Sequence, residues 1–104
     1  MTYEATLRLP KADVDYYDLI LDGKGNWEDW YEDYVESYTV RFDNGVEADL
    51  KVVGCGDDSP YAELVLFNDS GSEIGFSDAE YDFSGDWEIW DDEDNHYIVH
   101  VIGT

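Results

Sequence analysis

Twenty-seven carboxylates, two imidazoles and one thiol are the groups in this 104-residue chain whose types could do chemistry. Carboxylates at regular spacing bind hard cations, and an EF-hand loop needs oxygen ligands at alternate positions, Gly at the sixth and Glu at the twelfth. Loops starting at Asp91 and Asp92 would put His96 and Tyr97 where that Gly belongs, so neither fits. His96 and His100 are four apart, which in a strand separates them by about 13 Å at roughly 3.3 Å per residue. Without a second cysteine or a third histidine no zinc constellation forms. Paired carboxylates for acid–base work are not singled out, because so many acids bring some pair together by composition alone. Cys55, between Gly54 and Gly56, could be matched with either histidine as a dyad. A lone cysteine in such a loop is more often structural or simply tolerated. Phosphate loops, dinucleotide fingerprints and serine elbows are missing. The sequence predicts no enzyme, no cofactor and no metal.

Charge is the remaining signal. The first 51 residues hold 13 acids and the chain's five bases, Arg8, Lys11, Lys24, Arg41 and Lys51, while the last 53 hold 14 acids and no Lys or Arg. The net charge of −22 far exceeds the magnitude of about 2–8 that suits a small domain. Direct binding to nucleic acid is disfavoured, since that affinity comes from Lys and Arg neutralising phosphates and this chain would repel them. Anionic lipid headgroups would repel the same surface, and no apolar run approaches the roughly 20 residues that span a bilayer. Disorder, the ordinary consequence of high charge, does not fit 43% hydrophobic and 16% aromatic residues. The N-terminus lacks a secretory pattern and the single cysteine suits a reducing compartment, so the expected location is the cytoplasm of the host cell. Length suits one domain, 1–104; oligomeric state is left open.

The elements that must position these acids are readable from period. Tyr3 to Leu9 alternates as a strand and ends at Pro10, which suits a helix start. Residues 11–22 read as helix or strand; Val14, Tyr17 and Leu21, with Gly23 as a stop, favour helix. Asn26 is an N-cap and Asp29 a capping-box acid for a second helix over 27–36, with Trp27, Trp30, Tyr31, Tyr34 and Val35 as its apolar stripe. The period then becomes two. Residues 38–42 and 46–52 flank Asp43-Asn44-Gly45, which predicts a hairpin with a type I′ turn. Tyr61 to Phe67, apolar at nearly every position, reads as a central strand, and Glu73 to Phe76 as a short one. Residues 87–90 and 97–102 bracket a polar loop, a second hairpin. The expected fold is α+β: a mainly antiparallel sheet of about five to seven strands with one or two helices packed on one face.

On the 27–36 helix, Glu28, Asp29, Glu32, Asp33 and Glu36 share the face opposite the aromatic stripe. Their close pairs cost roughly 0.2–0.5 kcal/mol each in self-repulsion. A second acidic block runs from Asp78 to Asp94 and ends in Asp91, Asp92, Glu93 and Asp94 at a hairpin tip. A solvated face would interleave both signs; these blocks do not. In size, acidity and α+β character the chain resembles the DNA-mimic inhibitors of phages and mobile elements: anti-CRISPR proteins, anti-restriction proteins and inhibitors of uracil-DNA glycosylase. The resemblance rests on composition and on the acidic runs at 28–36 and 78–94, not on a motif. It implies a partner with a basic nucleic-acid groove, with a Cas effector favoured. The expected contacts are Glu28, Asp29, Glu32, Asp33 and Glu36, on a helix that could line one wall of a groove, and Asp91, Asp92, Glu93 and Asp94, at a tip that could reach into it. The alternative is an acidic structural or binding domain adapted to high salt.

Overall fold

Period-two alternation becomes seven strands in the computed structural model, which describes residues 1–24, 35–55 and 58–104, with the backbone alone at Cys55, Asp58 and Ser59. In chain order these are β1 (Thr2–Leu9), α1 (Lys11–Leu21), β2 (Val35–Arg41), β3 (Glu47–Cys55), β4 (Asp58–Phe67), β5 (Glu73–Phe76), β6 (Gly85–Trp90) and β7 (His96–Gly103). Two sheets result, one ordered β1-β7-β6 and the other β2-β3-β4-β5. Every pairing is antiparallel except β1 with β7, which run parallel from Thr2↔His96 to Leu9↔Gly103.

The inner faces of both sheets share one core. Ala48, Leu50, Val52, Leu64 and Leu66 from the larger sheet join Trp87, Ile89, Tyr97 and Val99 from the smaller. The Phe42 ring meets that of Tyr97 edge-on at 4.9 Å, tying sheet to sheet. Each such large side chain contributes about 1.5–3 kcal/mol by leaving water. No charged side chain is buried among the described residues, so the acids lie on the outside. β1 runs beside β2, and β5 beside β6, so the two sheets meet at two seams.

The fold is α+β with seven strands, as expected, but the strands divide between two sheets instead of forming one, and the helix does not lie on one face of a single sheet. α1 buries Val14, Tyr17, Ile20 and Leu21 and packs against both β7 and β4, so it lies across the gap between the sheets. Alternation tells which residues face a core but not whether a helix or a second sheet supplies the other half. The parallel β1–β7 pair joins the chain's two ends, and no local turn announces it. Helix is the outcome for residues 11–21. The Gly23 N–H bonds the Ile20 carbonyl and the Lys24 N–H that of Leu19, a Schellman stop with Gly23 at φ 76°.

The first hairpin forms where expected, but its turn is not type I′. Of its turn residues only Gly45 has positive φ, at 89°. Gly45 N–H bonds the Phe42 carbonyl at 3.0 Å and Phe42 N–H the Val46 carbonyl at 2.9 Å, a type I turn closed by a left-handed glycine. The Asn44 side chain is held by the core, donating to the Tyr97 hydroxyl at 3.0 Å and accepting from the Val46 N–H at 3.2 Å.

Candidate partner-binding surface

Four of the expected contact residues, Glu28, Asp29, Glu32 and Asp33, lie outside the described residues, as does most of the helix assigned to 27–36. Its last two positions are corrected: Val35 and Glu36 belong to β2, paired with Val53 and Val52. Ladder hydrogen bonds to β3 override the helical spacing there. Glu36 has the parity of Tyr38 and Val40, towards the core side, and its charge is among those raising the Tyr17 phenol. Burial is the main cause of that rise, followed by the Tyr38 hydroxyl 2.7 Å away. Glu36 is therefore not part of an outward acidic helix face.

The β6–β7 loop divides its four acids. Asp91 is a building element: its carboxylate accepts the Glu93 and Asn95 N–H groups at 2.9 Å each, the Asn95 amide at 3.1 Å and the Tyr97 hydroxyl at 3.1 Å. Partial burial pushes its pKa up, but these hydrogen bonds outweigh it and hold the group below the usual carboxylate range. Asp92, Glu93 and Asp94 stay exposed, with Asp94 in the left-handed region at φ 61°. The turns at Asn44, Asn68 and Asp91–Asn95 come together at this end of the sandwich, and Asp69 lies in a neighbouring hollow with Glu47, Asp49 and the base Arg41.

Acids of the 78–94 block converge along the β5–β6 seam. After β5 the chain follows β4, with the Ser77 N–H on the Leu64 carbonyl and Glu80 and Ala62 exchanging two 2.8 Å bonds. The Asp18 carboxylate of α1 then pins the next turn by accepting the Phe83 and Ser84 N–H groups at 2.8 and 2.9 Å. This route faces the outer residues of β6 across a cleft lined by Glu80, Asp82, Asp86 and Glu88. The cleft continues past Asp78 to Phe76 and Trp90. In the sequence these acids form a block, but Phe76 and Trp90 read only as strand residues and not as part of a site. The signal was parity: Trp87 and Ile89 face the core, so Trp90 must share the outer face with Asp86 and Glu88.

The outer face of the smaller sheet holds both histidines. His100 on β7 sits between neighbouring strands, its Nδ1 2.6 Å from Asp86 on β6 and its Nε2 2.9 Å from Glu4 on β1. Asp86 first, then Glu4, raise its pKa. With both ring nitrogens so engaged, His100 offers no lone pair to a metal. Among the described residues no group of three or more His, Cys, Asp or Glu is arranged to hold an ion. His96 stacks under Trp90 at 4.4 Å and 9°, and its Nε2 lies 3.1 Å from Glu88, off the line of a hydrogen bond. No helix among the described residues is long and apolar enough to cross a membrane. No family model matches the chain, no curated protein is significantly similar to it, and no solved structure matches its fold.

Proposed function

We propose that this protein is a stoichiometric inhibitor that presents an acidic, phosphate-mimicking surface to the basic nucleic-acid groove of a target enzyme. A Cas effector is the favoured target class, with restriction and repair enzymes as the other candidates. One observation carries the reading. From β4 to the C-terminus the chain has no Lys or Arg, and its acids collect on neighbouring surfaces, the β5–β6 cleft and the loop tips. On β6, Asp86 and Glu88 are two residues apart on one face, about 7 Å at roughly 3.4 Å per residue, so two carboxylates stand at a fixed interval on this strand. Such a field accelerates encounter with a basic groove and depends steeply on ionic strength. Contacts are assigned to Asp92, Glu93 and Asp94 at the tip, to the seam acids, and to Glu28, Asp29, Glu32 and Asp33. Capture from a lysate of the host cell tests it. The immobilised protein should retain a nucleic-acid enzyme that added DNA displaces; retention of neutral metabolic proteins alone overturns the proposal.

A further inference from the structure

We infer that Phe76 and Trp90, at the β5–β6 seam, form the docking anchor for an arginine-presenting protein surface, an assignment that rests on the inhibitory reading for its natural partner. Phe76 is 63% exposed and Trp90 55%, although aromatic side chains are among the costliest to leave in water. The two rings are shared walls of two adjoining hollows. One is completed by Glu73, Ile74, Gly75 and Asp92; the other has Ile89 beside Asp78, Glu80 and Glu88. An apolar centre ringed by charge is the anatomy of a protein interface whose binding energy is concentrated in a few aromatic anchors.

The site is already rigid. Trp90 lies flat on His96, at 9° between ring planes, so its ring has little freedom left to lose on docking. Gly75 lets the two strands close up: a Cβ there would sit 2.7 Å from the Trp90 carbonyl oxygen. Charge then selects the occupant. A second copy would bring −22 against −22, and nucleic acid would set phosphates against carboxylates. Between the two cationic side chains, a guanidinium stacks on aromatic faces and forks onto a carboxylate in a bidentate pair. An ammonium is more strongly hydrated and offers only a point charge. Aromatic walls with carboxylates at their rims therefore fit arginine better than lysine.

Oligo-arginine and oligo-lysine peptides of equal length are the probes, titrated into the full chain at physiological salt and followed by calorimetry. The arginine peptide should bind roughly tenfold tighter, within the range of a desolvated cation–π contact. Phe76→Ala and Trp90→Ala should bring that ratio close to one while binding of the lysine peptide persists. Thermal melts check the fold, and Trp90→Leu, which keeps apolar bulk against His96, serves if the alanine variant melts early. Equal affinity for both peptides in the unaltered protein, or a ratio unmoved by the substitutions, overturns the anchor. The two readings fail separately. If host-lysate capture yields no DNA-displaceable enzyme, the inhibitory function falls while the peptide preference stands. If Phe76→Ala and Trp90→Ala capture such an enzyme as well as the unaltered protein does, the anchor falls and the function stands.

Discussion

On β1 and β2, which run side by side, the exposed charges are Glu4, Arg8 and Arg41; where β5 runs beside β6, the exposed acids are Glu73, Asp78, Glu80, Asp82, Asp86 and Glu88, with no Lys or Arg among them. The same kind of junction is thus electrically mixed on one side of the sandwich and single-signed on the other. A mixed seam closes without self-repulsion. At a single-signed seam the repulsion must be offset by burial of Leu64, Leu66, Trp87 and Ile89 beneath it. That repulsion is what the proposed cationic partner would relieve, so under the proposed function the seam that is worse for folding is the one assigned to binding.

Charge reversal at the acidic seam, set against the same reversal away from both seams, tests the contrast most strongly. Glu80→Lys with Glu88→Lys at the acidic cleft should weaken target binding by about 100-fold, within the roughly 2–5 kcal/mol that loss of a paired interfacial charge costs. The same reversal at Glu47 and Asp49, on the outer face of the larger sheet, should cost far less. Competition against a labelled copy of the unaltered protein reads both. Equal losses would show that net charge rather than one seam governs affinity.

Stability changes come next in size. Gly75→Val drives a side chain into the Trp90 backbone, where even the first carbon lies at 2.7 Å. About 3 kcal/mol of destabilisation in urea is expected, the upper end for overpacking against atoms that cannot yield. Asp18→Ala should cost about 1 kcal/mol, because it takes the acceptor from the part-buried Phe83 N–H, whereas the exposed Ser84 N–H can turn to water. A full-strength melt for Gly75→Val would mean that the seam can open without penalty.

Legibility in the sequence followed the range of the interaction. The hairpins at Asp43–Gly45 and Asp91–Asn95, the short strand at Glu73–Phe76 and the stop at Gly23 are set by neighbours within a few residues, and each is found close to where the sequence puts it. Pairing of Thr2 with His96, and of Ala62 with Glu80 outside the named strands, depends on chain closure that no local pattern encodes. Site residues follow the same rule. The acids could be counted, yet Glu36 is paired in β2 and half-buried, Asp91 is tied into its own loop, and Glu80 meets Glu88 only because two sheets share a seam. Trp90 was within reach, since its parity with Glu88 is a local fact.

The smallest expected effect sharpens the comparison by pH. His100 joins β1 to β6 through Glu4 and Asp86, and Asp86 also lines the acidic cleft. Folding raises the His100 pKa above its ordinary value of about 6.5, with Asp86 the larger cause and Glu4 the second. Below about pH 6.5 the imidazole is charged in folded and unfolded chains alike, and its stabilising contribution is complete. As pH rises through the folded pKa the proton leaves, the contribution is lost, and Glu4 and Asp86 face a neutral ring. The melting temperature of the unaltered protein should therefore exceed that of His100→Gln most at about pH 5–6, above the ordinary carboxylate range, and the gap should shrink towards pH 9. Glu88 and His96, also on this face, are common to both proteins and largely drop out of the difference. A gap that stays constant with pH would mean that one carboxylate holds a neutral imidazole through its single N–H, and the clasp would then add nothing to the contrast between the seams.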